Sequence, residues 1–301
     1  MKRKYMLFFV ALGMLFVLGA CGNREVSKDD ATYNEEVSEQ LSDSEDHIDE
    51  NAYFISTNDD FYETIAGNPV DRKYVIEADA APLEIWQLSL EKCEAWNQQI
   101  DFTVENLKDL LEKEDEEQLQ KAIVFWHDYY QEEVEQNRDL YGNTGIILGS
   151  MYTATSADVL VEKCKLVSVS LLSLEYELTG KVSFKEDTTS ADNGKEYSVL
   201  PEMFCIEYSS DFENTLSEYA INEKDSDEFV SLIQNTANKI EENFGHDFTE
   251  HANKYVSFIQ TLYSVENDVS ENQEQSLVLE KNRLKLYATE LVNIKYMLDE
   301  Q

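Results

Sequence analysis

The chain has 301 residues, with 62 acidic against 24 basic side chains and a formal net charge of −38. That balance excludes nucleic acid as a partner, because phosphate contacts need a basic surface. It equally excludes charge-driven adhesion to anionic lipid or wall polymer. It suits a cationic partner, since opposite net charges steer association, or it simply serves solubility and spacing from a like-charged surface.

Lys2, Arg3 and Lys4 precede an uncharged apolar run from Tyr5 to Leu18, closed by Leu18-Gly19-Ala20-Cys21. This order is that of a bacterial lipoprotein signal peptide over residues 1–20. The run is too short for a comfortable transmembrane helix, which needs about 20 residues. Cys21 carries the one thiol placed to take a diacylglyceryl group, and several acyl chains are what stable anchoring requires. The expected localisation is extracytoplasmic, lipid-anchored to the bacterial membrane. Residues 21–67 are rich in Asp, Glu, Ser and Asn and are expected to form an acidic disordered tether.

Only 10 Gly and 3 Pro occur, which suits long helices with few turns. Asn68-Pro69-Val70-Asp71 opens the folded part with a cap residue, Pro in the first helical position and an acid in the first turn. A short helix is expected to about Ala80. Pro82 restarts the chain into a helix over about 83–114, with an apolar seam of Trp86, Leu90, Cys93, Ile100, Val104, Leu107 and Leu111, interrupted by Asn97. Glu112 to Glu117 reads as a turn, with Asp115 capping a helix that carries Leu119, Ile123, Trp126, Tyr130, Val134 and Tyr141. Gly142-Asn143-Thr144-Gly145 ends that helix. Ile146 to Tyr152 then reads as an apolar loop, and Thr155 as the cap of a third helix with the seam Leu160, Cys164, Val167, Leu171, Leu174 and Leu178. The fold class is all-α, an antiparallel helical bundle over 68–180.

Residues 181–200 read as a polar linker, and 201–301 as a second helical module. Its seams are Phe212 and Leu216, then Phe229 to Phe244, then Tyr255, Phe258 and Leu262, and last Leu284, Tyr287, Leu291, Ile294 and Leu298. The second module has the look of a degenerate repeat of the first. Val161-Glu-Lys-Cys-Lys-Leu166 matches Leu279-Glu-Lys-Asn-Arg-Leu284 at an offset of 118, whereas the seams superpose at an offset of 120, Cys164 on Leu284.

Asn68-Pro69-Val70-Asp71, Glu91-Lys92-Cys93-Glu94-Ala95-Trp96, the helix from Phe102 to Leu111, Trp126-His127-Asp128-Tyr129-Tyr130, the Gly142-to-Ser150 connection and Cys164 together resemble the LprI-type lysozyme inhibitor family. The resemblance covers about a third of the chain, from Asn68 to Leu178, mostly at helix-packing positions. It implies an exported, often lipidated protein whose partner is a lysozyme-type hydrolase, bound by steric occlusion. The chain departs from the family where Tyr130 stands in place of a usual Arg and where further paired cysteines are missing. The other reading is a helical envelope lipoprotein with a scaffold or other protein- or ligand-binding role.

Cys93 and Cys164 fall on seams of different helices. An interhelical disulfide suits an exported protein, and a pair of buried thiols is the alternative. His246 and His251 are five residues apart and share no helical face, so no metal site is expected. Gly142, Gly145 and Gly149 lack the Lys-Ser/Thr pair of a phosphate loop. No cofactor and no catalytic signature emerge. Asn143, Ile146, Ile147, Met151 and Tyr152 form a candidate partner-binding loop, either folded back onto the bundle or offered outward.

Overall fold

The computed structural model describes residues 59–76, 79–142, 149–185, 210–244 and 247–299, and among them it is helical with no strand. In chain order the helices are α1 (Asp59–Ala66), α2 (Pro69–Lys73), α3 (Pro82–Lys108), α4 (Lys113–Gly142), α5 (Gly149–Thr179), α6 (Ser210–Glu218), α7 (Ser226–Phe244), α8 (Phe248–Val269) and α9 (Gln273–Asp299). The signal segment, Cys21, most of the tether and residues 186–209 lie outside the described residues. No described helix is long and apolar enough to cross a membrane.

Several boundaries differ from the sequence reading. The tether does not run to residue 67: α1 is a helix whose Phe61 and Ile65 are buried against Val169 and Leu172 of α5. Two apolar residues four apart make one helical stripe, enough to dock a short helix on a larger one. α2 stops at Lys73, well before Ala80. α3 ends at Lys108 and α4 begins at Lys113, which puts Asp115 inside the first turn rather than at the cap. α5 starts at Gly149, six residues before Thr155, because Ser150 to Ala154 contain no breaker to stop the helix. Gly180 ends α5 in the left-handed conformation, φ +67°, where glycine carries no Cβ penalty.

The bundle is built around α5. Its seam residues Leu160, Cys164, Val167, Leu171 and Leu174 are buried, but so are Val161, Lys163, Lys165, Leu166 and Val169 on its other sides. Leu178, the last position of the expected seam, is exposed. A helix enclosed all round is a core helix, not a surface one. α5 packs chiefly on α3, and also touches α1, α4 and α9. α4 packs chiefly on α8, with Trp126 against Phe258 at 5.1 Å between centroids.

The segment expected as a separate second module shares this interior. Trp96, Trp126, Leu160 and Val167 from the first segment and Phe229, Tyr255, Phe258, Leu284 and Leu291 from the second belong to one continuous hydrophobic core. Burying a side chain of this size is worth roughly 1.5–3 kcal/mol, so a core that continuous ties the two halves into one folding unit.

At an offset of 120, Lys163 of α5 corresponds to Arg283 of α9, and both side chains are fully buried. Lys163 pairs with Glu133 on the preceding helix α4, and Arg283 with Glu266 on the preceding helix α8. The 118 offset instead matches Lys165 to Arg283, yet Lys165 pairs with Asp71 on α2. The carboxylates do not follow either register, since the residue 120 positions after Glu133 is Asn253, not Glu266.

Candidate functional site

Glu91 and Glu94 stand one turn apart on α3, with Leu90 and Asn97 on the same side. His127, Gln131 and Glu135 recur every four residues on α4, with Tyr130 and Val134 between them. Such spacing places each set on one helical face. Because α3 leans mainly on α5 and α4 mainly on α8, the two faces diverge and leave a groove of about 830 Å³. Tyr74, just past α2, completes its wall.

The floor is held by a buried hydrogen bond. Trp126 Nε1 donates to Asn97 Oδ1 at 2.7 Å. This explains the polar break in the α3 seam, since a buried indole N–H without an acceptor costs about 1–3 kcal/mol. Tyr130 lies over Trp126, with centroids 6.1 Å apart and planes 25° from parallel, and its hydroxyl donates to Glu94 Oε2 at 3.3 Å. Burial raises the Tyr130 phenol far above its ordinary range, helped by Cys164, Cys93 and Glu94, so it stays a proton donor. On the rim, His127 Nε2 meets Asp101 Oδ1 at 2.9 Å. Among the described residues no ion pair engages Glu91, Glu94 or Glu135; Gln98 donates to Glu94 at 2.9 Å and Gln131 to Glu135 at 3.4 Å.

Compared with family models, curated proteins and solved structures, the chain matches none.

Cys93 and Cys164 are two buried free thiols close enough to influence one another, and the Cys93 thiol donates to the Ala157 carbonyl oxygen at 3.6 Å. Burial pushes the Cys93 thiol well up, with its partner Cys164 adding to the shift. A thiol kept protonated and enclosed behaves as a small apolar side chain. Of the expected partner-binding loop, Asn143, Ile146 and Ile147 lie outside the described residues. Met151 and Tyr152 fall in the first turn of α5, not in a loop. His246 lies outside the described residues, and no group of three or more His, Cys, Asp or Glu among the described residues could hold a metal ion.

The most concentrated chemistry is interior, and the sequence reading missed it. Lys163 contacts Glu290, lies 3.7 Å from Glu133 and donates to Tyr129 Oη at 2.6 Å. The rings of Tyr129, Tyr255 and Tyr287 surround its ammonium at 5.3, 5.8 and 4.9 Å. His251 stacks on Tyr129 at 4.4 Å, with Nε2 2.5 Å from Glu133 and Nδ1 3.2 Å from Glu132. One cation thus serves two enclosed carboxylates. Burial works against ionisation of Glu133, but Lys163 and His251 outweigh it and hold the carboxyl at about 2. Glu290 is raised to about 7, because burial and the Glu133 charge exceed what Lys163 returns.

A second enclosed cluster fixes the start of the bundle. Asn68 Oδ1 accepts from the Asp71 N–H at 2.8 Å, the cap expected from the sequence. Asp71 itself is buried between Lys165 at 2.7 Å and Lys92 at 2.8 Å. Burial pushes its carboxyl up, but Lys165 and Lys92 prevail and bring it to about 2. Lys163, Glu133, Glu290 and Asp71 are enclosed, whereas the groove is open to solvent.

Proposed function

We propose that the chain is a lipid-anchored envelope protein that binds a cationic protein, a lysozyme-type hydrolase, and inhibits it by steric occlusion. The observation that carries the reading is charge: 62 acidic against 24 basic side chains over the chain, with glutamates that make no ion pair among the described residues lining an open groove. Opposite charge accelerates encounter and aligns the partners, while the helical bundle supplies a rigid face. The resemblance of residues 68–178 to lysozyme inhibitors names the partner class, and Cys21 supplies the anchor. No enzymatic step is assigned to the chain.

The test is direct binding of the purified protein to a panel of lysozymes, together with lysozyme-driven clearing of cell walls with and without the protein. Binding that weakens with added salt, accompanied by slower clearing, supports the reading. Unchanged clearing at micromolar protein and no binding overturn it. Capture of an endogenous envelope protein in place of lysozyme points instead to a scaffold role.

A further inference from the structure

We propose that the enclosed cluster of Lys163, Glu133 and Glu290 is a proton-operated latch, which holds α9 closed on the bundle while Glu290 carries a proton and lets it loosen when that proton leaves. The inference goes beyond the binding reading and does not depend on which protein is bound.

The count of charges carries it. Lys163 contacts Glu290 and lies 3.7 Å from Glu133, and all three side chains are buried. Among the described residues Lys163 is the one cation in an ion pair with Glu290, whereas Glu133 also has His251 Nε2 at 2.5 Å. Two carboxylates on one ammonium leave a surplus negative charge in a weakly screening interior, and a proton on Glu290 removes it. Arg283, two turns earlier on the same face of α9, shows the contrast. Its guanidinium pairs with Glu266, one charge for one, with Nη1 donating at 2.9 Å.

The surroundings offer Glu290 no other neutralisation. α4 brings Glu133 and Tyr129, α5 brings Lys163, α8 brings His251 and Tyr255, and α9 itself brings Tyr287. Burial first, and the Glu133 and Glu290 charges after it, hold the three phenols far above their ordinary range, so they stay protonated. The Tyr255 and Tyr287 hydroxyls have no hydrogen-bond partner among the described residues, so neither donates to the Glu290 carboxylate. The buried residues of α7 are Phe229, Ile233, Thr236, Ala237 and Ile240, none titratable, and α6 buries none of its described side chains. The cluster meets solvent at one end, where His251 Nδ1 lies 3.2 Å from Glu132, a side chain 38% exposed.

Glu290 enters from α9, which rests chiefly on α7 and α8 and only lightly on α5. An outward shift of α9 therefore hydrates Glu290 without parting α5 from α3 or α4 from α8. Such sub-global opening costs less than unfolding the whole. Hydration returns the carboxyl to its ordinary range, so each opening above that range releases the proton to water.

The test is amide hydrogen exchange of the full-length protein, read by mass spectrometry between about pH 6 and 8 and corrected for intrinsic exchange. The Glu290 carboxyl stands at about 7 when closed and 4.5 when hydrated. Opening of α9 is therefore expected to rise about tenfold across that range, while peptides of α3 and α5 change less than about twofold. Glu290→Gln is neutral at every pH, so its α9 exchange should stay flat. Glu133→Gln removes the competing carboxylate and leaves Lys163 to Glu290, which then stays ionised, so the rise should vanish there too. Mere loss of packing would not remove a pH dependence. No rise in the parent, a rise shared equally by α3 and α5, or a full rise in Glu290→Gln overturns the latch. If Glu290→Gln fails to fold by far-UV circular dichroism, the parent and Glu133→Gln decide, and an undiminished rise in Glu133→Gln overturns it.

Discussion

Lys163→Met removes the ammonium that two enclosed carboxylates share. Lys163 lies 3.7 Å from Glu133, and at an effective dielectric of ~20 that attraction alone is about 4 kcal/mol. Its contact with Glu290 is closer, and three tyrosine rings lose a cation. The loss is bounded, however. Glu290 is raised to about 7 with the lysine present, so without it the carboxyl simply takes up a proton, and Glu133 keeps His251 at 2.5 Å. The net destabilisation at about pH 7 is therefore expected near 3–5 kcal/mol, the usual result of breaking a buried pair from one side. Urea unfolding followed by far-UV circular dichroism measures it. The same variant should recover stability relative to the parent as pH falls toward about 5, because Glu133 loses the Lys163 charge that lowers it and takes up a proton more readily than in the parent. Lys163→Met with Glu133→Gln and Glu290→Gln should regain most of the loss at about pH 7. A loss under about 1 kcal/mol, or a triple variant no better than the single one, refutes the shared-cation account.

Glu290 sets an unusual pH dependence. Its carboxyl rises from 4.5 to about 7 on folding, so the native state binds a proton that the unfolded chain releases. Its contribution is full below about 4.5 and is lost as pH rises through about 7. Asp71 and Glu133, both lowered to about 2, contribute above about 4.5 and lose that contribution as pH falls toward 2. Stability should thus peak in mildly acid solution, and Glu290→Gln should flatten the alkaline limb and raise stability near pH 8 by roughly 1–3 kcal/mol, read from urea midpoints. Ala220, at the end of α6, holds a left-handed φ of 49°. Ala220→Gly should raise stability by roughly 0.5–1 kcal/mol, seen as a higher thermal midpoint; a lower midpoint would refute the strain argument.

What was legible in the sequence was whatever repeats locally. The apolar seams of α3, α4, α5 and α9 and the Asn68-Pro69 start emerged because helix periodicity and cap chemistry act within a few residues. Phe61 and Ile65 carried the same signal for α1, but the acids around them made the stretch read as solvated tether. The interior clusters were hidden for a different reason. Lys163, Glu133 and Glu290 lie on three helices, and Asp71 meets Lys165 across 94 residues of chain, so no spacing rule connects them. One clue was present: Lys163 and Lys165 sit inside Leu160 to Leu174, where Leu and Val recur around the whole helix, so a charge has no outer face to occupy. The groove was invisible for the converse reason. Glu91, Glu94 and Glu135 are ordinary surface acids in a chain full of them, and only the divergence of α3 from α4 distinguishes them.

The manner in which the chain enters its fold has a mechanical consequence. α1 docks on Val169 and Leu172, and Asp71 of α2 grips Lys165, all on the innermost helix α5. A force applied at residue 59 is therefore delivered to the centre of the molecule, not to an outer helix that could peel away. To yield, the joint must slide enclosed ions past one another and open the core at once. The N-terminal attachment should behave as a brittle, high-force joint, while helices remote from it feel little of the load.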